Sequence, residues 1–282
     1  MNKYSRRKFF GQTAVAGSLL FVPNISAAPL SMIFQPGAGD NPENNGFHGT
    51  PALYYKKLDH KKIQCELCPK KCEVADLERG YCGVRENQQG SYYTLVHSRP
   101  CAMHIDPIEK KPFFHFLPGT TALSLATAGC NMNCKFCQNW DISQVRPEQV
   151  KSFYSPPEKL VEAAKENGCK SISYTYSEPV IFYEYMLDTA KLTKNTKIKS
   201  TVVSNGYINE EPLKELCRYI DAMKVDLKAF NDTFYKDICS GTLKPVLESL
   251  KILVQQKVWT EIVYLVIPKL NDDLNDIKNM SK

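Results

Sequence analysis

After its first ten residues the 282-residue sequence contains no run of more than two Lys or Arg, so it offers no tract of the kind that grips nucleic acid. The formal net charge of +6 falls to 6 − 4 = +2 once Lys3, Arg6, Arg7 and Lys8 of the leading segment are set aside. No nucleic-acid partner is expected. Internal repeats and low-complexity segments are missing, which leaves out solenoids and arrays. A Ser–His–Asp constellation and a phosphate-cradling glycine loop are missing as well, so serine-hydrolase and P-loop chemistry are set aside. The apolar stretch at residues 9–22 is too short for a comfortable membrane span, and no stable span is expected.

What is present is the composition of a folded protein with a real core, 43% hydrophobic and 23% charged. The length suits one large domain with an appendage, or two domains. Residues 1–28, "MNKYSRRKFFGQTAVAGSLLFVPNISAA", have signal-peptide grammar: a basic start, an apolar stretch and small residues around Ser26. Ser5-Arg6-Arg7-Lys8-Phe9-Phe10 fits a twin-arginine export signal, an address that sends folded proteins, often with cofactors inserted, across a membrane. The expected location is the periplasm or cell envelope, and the cytoplasm if the leader is non-functional. No Cys stands near the cleavage region, which argues against a lipoprotein anchor. Residues 29–50, rich in Pro, Gly and Asn, read as a linker.

Residues 51–118 form a Cys-rich amino-terminal region of short strands and turns. From residue 119 to 282 the pattern changes to strands at 122–129, 170–179, 197–207, 221–230 and 259–268, alternating with helices. The helices are expected at 156–168, 181–195, 210–220 and 243–257, with another starting near Asp272. This alternation predicts an α/β fold with right-handed crossovers and a parallel sheet. Five strands predict an open sheet or partial (β/α) TIM-like barrel, not a closed eight-fold one.

Eleven cysteines are clustered: four between 65 and 82, three between 130 and 137, and Cys101, Cys169, Cys217 and Cys239 scattered. Clustered short spacings point to metal sites before disulfides. The scattered four read as small buried apolar residues. "GCNMNCKFCQNW" (129–140) places Cys130, Cys134 and Cys137 on a loop at the carboxyl end of a strand, where parallel sheets bind ligands. Thiolates so spaced select iron–sulfur clusters, zinc or copper(I). Zinc with three cysteines ordinarily recruits a nearby His. Histidine is scarce here: of five, His104 and His115 are closest, and both lie upstream.

The Cys-x3-Cys-x2-Cys spacing, with Phe136 before the last Cys, resembles the signature of the radical S-adenosylmethionine (SAM) enzymes. The resemblance implies a [4Fe–4S] cluster held by three thiolates, with its fourth iron left for the amino and carboxylate groups of SAM. It implies one-electron cleavage of SAM to methionine and a 5′-deoxyadenosyl radical, which takes hydrogen from a substrate the sequence does not identify. "LSLATAGCNMNCKFCQNWDISQ", "YTYSEP", "VSNGY", "DAMKVDLKAF" and "VIPKLND" follow the order seen in relatives of pyruvate formate-lyase activating enzyme. "CELCPKKCEVADLERGYCGVREN" and "DPIEKKPFFHFLPGT" extend the resemblance to the AmmeMemoRadiSam-system subgroup, over Tyr54 to Lys282. The partners so implied are SAM, an electron donor such as flavodoxin or ferredoxin, and the AmmeMemo-system proteins. A glycyl radical installed on a partner protein is one implied outcome; modification of a small molecule or peptide is the other. The leader departs from most members, because SAM and reducing electrons are ordinarily cytoplasmic.

By that resemblance Glu178 of "YSEP" meets the SAM amino group, Ser204 and Asn205 lie where a strand-end turn approaches SAM, and Lys228 meets its carboxylate. Read alone, Glu178 also fits a surface carboxylate before a Pro-capped helix, and Ser204-Asn205 ordinary turn chemistry. Asp226 and Lys228 alternate on the fourth strand, so they face one side and need partners there; an internal Asp–Lys pair answers that too. Phe136 is expected to shield the cluster and present backbone to adenine, or to pack in the core. Ile267 and Pro268 are expected against adenine, and His104 and His115 to be solvated or packed.

Cys65-x2-Cys68-x3-Cys72-x9-Cys82 supplies four thiolates, enough for a closed site holding zinc or an auxiliary [4Fe–4S] cluster, or for a disulfide in an oxidising space. Lys70 and Lys71 within that loop are expected to lower the thiol pKa values. The last residues, "NDDLNDIKNMSK", begin a helix where family members continue to a sixth strand, so a barrel shortened before that strand is expected. Two readings from other classes stand beside the enzyme: a non-catalytic zinc or iron–sulfur electron-transfer protein, and a disulfide-stabilised secreted binder.

Overall fold

Segments such as Ala122-Leu123-Ser124-Leu125-Ala126, apolar or small on both faces, belong in the middle of a covered sheet. In the computed structural model, which describes residues 49–282, that is where they lie. The leader expected at 1–28 and all but the end of the linker expected at 29–50 fall outside the described residues. The main sheet holds β7 (Ala102–Pro107), β8 (Thr121–Ala126), β9 (Ser171–Tyr174), β10 (Lys199–Ser204), β11 (Ala222–Asp226) and β12 (Trp259–Val263). They stand side by side in chain order. Strands β8 to β12 are parallel, as the alternation predicts. β7 pairs antiparallel with β8, Ala102 opposite Ala126 and Pro107 opposite Thr121, and was not expected as part of this sheet.

The connecting helices are Pro157–Glu166, Tyr183–Thr193, Glu210–Leu216 and Leu243–Gln255. The first shows why: Pro157 sits at its start, Leu160, Val161, Ala163 and Ala164 form its buried stripe, and Gly168 (φ +66) closes it. Among the described residues no helix is long and apolar enough to cross a membrane.

All five parallel strands stop short of their expected ends, by the most residues at β9, β11 and β12, the last two ending at Asp226 and Val263. Beyond them side chains take over the backbone groups. The Lys228 N–H donates to the Tyr235 hydroxyl (3.1 Å), and Asn271 Nδ2 donates to the carbonyls of Lys228 (2.7 Å) and Leu265 (2.9 Å). Lys228 therefore lies past its strand. β12 is an edge strand, with Trp259 and Ile262 exposed.

The Cys-rich region folds as two small antiparallel sheets. One joins β2 (Tyr55–Lys57), β3 (Ile63–Cys65) and β4 (Glu73–Val74); the other joins β1 (Thr50–Pro51), β6 (Ser91–Thr94) and β5 (Arg85–Gln88). A buried ion pair fastens them to the barrel. Arg85 Nη2 meets Glu184 Oε1 at 2.9 Å, with side chains 1% and 5% exposed. The Leu53 N–H donates to the same oxygen (2.7 Å), and Arg85 donates to the Leu53 carbonyl (2.7 Å).

Removing one member of such a pair strands the other charge without water. Glu184→Ala is expected to cost about 3–5 kcal/mol, read as a lowered midpoint in urea unfolding.

Candidate functional site

The cysteine loop leaves the end of β8 through Gly129, whose φ is +96. A Cβ there would lie 2.6 Å from Val84 Cγ1 and 2.7 Å from the Cys82 carbonyl, so only glycine lets the loop press against the amino-terminal region. Cys130 Sγ accepts the Met132 N–H at 3.4 Å. On its far side the loop is held by backbone bonds from Asn133 to Cys239 (3.0 Å) and from Lys135 to Ile238 (3.0 Å). Cys130, Cys134 and Cys137 all line one open cleft of about 520 Å³ at the carboxyl ends of the parallel strands.

Glu178 is buried, at 2% exposure, and not the surface carboxylate that its local sequence allows. It caps the helical turn Pro179–Phe182 through the Val180 N–H (3.1 Å). It also accepts from Ser204 Oγ (2.6 Å) and from the Asn205 N–H (2.8 Å). Asn205 Nδ2 donates to Asn131 beside Cys130 (2.8 Å). Burial pushes the Glu178 carboxyl up to about 7, against these hydrogen bonds and the pull of Lys228.

Lys224, Asp226 and Lys228, from the end of another strand, line the same cleft as Glu178. Lys224 contacts one Asp226 oxygen, and Lys228 Nζ lies 3.5 Å from the other. Burial opposes charge on both Asp226 and Lys228. Their attraction outweighs it, holding Asp226 below the ordinary carboxylate value and Lys228 above the ordinary lysine value. The Phe136 ring lies 5.7 Å from Lys228 Nζ and 5.8 Å from the Phe234 ring, so it both walls the cleft and packs on its neighbour.

The cleft thus gathers Phe136, Glu178, Ser204, Asn205, Asp226 and Lys228 with the three thiols. Ile267 and Pro268 are not in its lining; on that side the wall is Val263 and Leu265, because the chain has already turned away. His104 and His115 are both exposed and outside the lining, as expected. Lys70 and Lys71 do not lower the neighbouring thiols: burial pushes Cys65, Cys68 and Cys82 up, Cys82 to about 11. The Lys70 ammonium turns to the Ser240 carbonyl and the Tyr81 ring instead.

Sequence reasoning missed a further polar group at the cleft. Asp106 accepts from Lys111 (2.6 Å), Tyr176 (2.6 Å) and Lys110 (3.0 Å), and the last three line the cleft. "DPIEKKP" contains two of the three kinds of residue, but only the antiparallel pairing of β7 turns them inward. Also missed was Cys239, whose thiol is hydrogen-bonded to Cys134 and is more than a small apolar filler. The remaining scattered cysteines are buried or half-buried, and among the described residues every cysteine is free.

The donor set fits a [4Fe–4S] cluster with one corner open to SAM. Three soft thiols come from one loop, and both carboxylates of the cleft are engaged, Glu178 by three donors and Asp226 by two lysines. Neither is free to close the fourth corner. Residues 124–280, more than half of the chain, match the family described as the Radical SAM superfamily, and the protein belongs to that superfamily, an enzyme class.

Among its relatives is an uncharacterized protein of Methanocaldococcus jannaschii, 44% identical over 226 residues, which are 80% of this chain and 67% of that one. The pyruvate formate-lyase 1-activating enzyme of Escherichia coli is 24% identical over 150 residues, 51% of this chain and 61% of the enzyme. A putative glycyl-radical enzyme activating enzyme of Methanocaldococcus jannaschii is 26% identical over 167 residues, 57% of this chain and 61% of the relative. The chain therefore spans about two thirds or less of these relatives' lengths.

The raised Glu178 pKa has a sign. A carboxyl that titrates at about 7 when folded, against 4.5 unfolded, favours the fold at low pH and loses that contribution as pH rises between the two values. For the metal-free chain, the stability of wild type relative to Glu178→Gln is expected to fall by on the order of 3 kcal/mol from pH 4.5 to pH 8 in denaturant titrations.

Proposed function

We propose that Cys130, Cys134 and Cys137 hold a [4Fe–4S] cluster, that SAM binds at its open corner, and that the protein thereby takes a hydrogen atom from a substrate entering the cleft. Bound together, cluster and SAM supply one-electron cleavage to methionine and a 5′-deoxyadenosyl radical. The observation that carries this reading is the shared cleft, where three thiols face a negative group and a positive group on separate strand ends. Glu178 keeps negative potential where the ammonium of SAM sits and fixes Ser204 and the Asn205 backbone around it. Lys228, steadied by Asp226, offers its ammonium to the carboxylate. Phe136 and Leu265 give that wall apolar surface and keep water off.

For the substrate, similarity to activating enzymes supports a partner protein that receives a glycyl radical. The motifs shared with the AmmeMemoRadiSam-system subgroup support AmmeMemo-system proteins as partners and a flavodoxin or ferredoxin as electron donor. The twin-arginine grammar of residues 1–28 supports export to the periplasm or envelope. The non-catalytic zinc or electron-transfer reading gains no support from the paired charges at Glu178 and Lys228, which only a zwitterionic ligand uses in full.

Anaerobic reconstitution with iron and sulfide, followed by SAM and dithionite, tests the reading. 5′-Deoxyadenosine is expected from wild type and none from Cys134→Ala. Lys228→Met is expected to weaken SAM binding roughly 10- to 100-fold. Iron-replete wild type that binds no SAM and forms no 5′-deoxyadenosine would refute it.

A further inference from the structure

The four cysteines of the amino-terminal region do not reach the cleft. Cys65, Cys68, Cys72 and Cys82 line a second, smaller cavity of about 20 Å³, with Val180 and Ile181 of the barrel also in its lining. Arg85 and Tyr92 share that lining, each 1% exposed. Each leaves a buried donor without a partner, Arg85 Nε and Tyr92 Oη. The Tyr92 hydroxyl sits close to Cys72: a Cβ on Gly80 would lie 2.8 Å from that oxygen and 3.8 Å from Cys72 Sγ. Two unpaired buried donors beside four thiols point to an acceptor of negative charge in the same space.

Against the burial that raises three of these thiols, each sulfur accepts a backbone hydrogen bond. Cys65 accepts the Leu67 N–H, Cys68 that of Lys70, Cys82 that of Val84, and Cys72 that of Tyr81 at 3.4 Å. Three of these are the same turn, sulfur to the N–H two residues on, that holds Cys130 in the cleft. Backbone N–H groups directed at sulfur favour thiolate.

An unoccupied site for zinc or for an iron–sulfur cluster leaves a void between its thiols. Here the thiols surround one.

We propose that Cys65, Cys68, Cys72 and Cys82 hold a second iron–sulfur centre, closed by four protein ligands, that passes electrons to the cluster in the cleft. Four ligands leave no position for substrate, so electron transfer is the chemistry open to it. The two sites adjoin. The Cys82 carbonyl lies against Gly129, Asn131 lines the thiol cavity while bonding Asn205 of the cleft, and the Lys70 ammonium is drawn by Cys68, Cys72 and Cys130 alike. In the transfer one electron leaves the second centre for the first, and a low-potential one-electron donor of the flavodoxin or ferredoxin class restores it. The relay rests on the function proposed above; the metal site does not.

The test replaces Cys130, Cys134 and Cys137 together by Ala and reconstitutes the full chain anaerobically. Roughly four iron and four sulfide per chain are expected to remain, against roughly eight of each in wild type. The remaining EPR signal of the reduced protein is expected to ignore SAM. Cys68→Ala/Cys72→Ala should lose this signal and keep the SAM-sensitive one. Zinc alone, or no metal, in a triple variant with wild-type circular dichroism overturns the centre. Should that variant not fold, wild type decides, and roughly four iron per chain overturns the proposal. For the relay, the ratio of flavodoxin-driven to dithionite-driven 5′-deoxyadenosine formation is expected to fall roughly tenfold or more in Cys68→Ala/Cys72→Ala, and an unchanged ratio rejects it. Failure of the proposed function has a different signature: both centres full of iron, and no 5′-deoxyadenosine from wild type with either reductant.

Discussion

One buried carboxylate draws three strand ends together. Glu178, just past β9, accepts from Ser204 at the end of β10 and from the next backbone N–H, while Asn205 reaches across to Asn131 beside Cys130. Asn131 then donates to the Tyr207 carbonyl at 2.8 Å. The cysteine loop after β8 is thus tied to β9 and β10 by polar bonds in a place where every lost partner is costly. Desolvation of the carboxylate is offset in part by its three donors. The remainder appears as a pKa of about 7, a group held close to its own neutralisation.

The end of β11 carries the complementary imbalance. Lys224, Asp226 and Lys228 put two ammonium groups on one carboxylate, leaving an unmatched positive charge in a mostly buried place. Unmatched buried charge is expensive and is kept where a ligand completes it. A negative site at one strand end and a surplus cation at another suit an amino acid head group, ammonium toward Glu178 and carboxylate toward Lys228. Either charge alone has an ordinary structural use; their placement in one cleft, beside three thiols, gives the pair its meaning.

Much of this was legible locally. The Cys130, Cys134 and Cys137 spacing needs only chain continuity, and strands β8 to β11 are largely buried on both faces, so their runs show in the sequence. Glu178 was legible through its motif but not by itself, since nothing near "YSEP" tells a buried carboxylate from a surface one. Strand ends were not legible, because Asn271, a long way downstream of Lys228, takes the carbonyls that a longer ladder would use. The Asp106, Lys111 and Tyr176 group depends on β7 joining the sheet antiparallel and on Tyr176 adopting φ +63, and neither has a local signature. The thiol contact between Cys239 and Cys134 is equally non-local.

The Cys-rich region is more than an appendage to the barrel. The described residues fall within one compact unit, and contacts at the cysteine loop show why. Cys82 and Val84 press on Gly129 at the loop's start. Lys70 reaches the Ser240 carbonyl, next to the Cys239 that holds the loop from its other side. Asn209, before the Glu210–Leu216 helix, donates to the Glu66 carbonyl at 2.6 Å and to that of Leu67 at 3.1 Å. The loop that must hold three sulfurs in place is therefore clamped between the amino-terminal region and the 235–241 turn. Its anchorage is packed and hydrogen-bonded on both sides, so the position of Cys130 depends on the amino-terminal region as much as on the strand that delivers it.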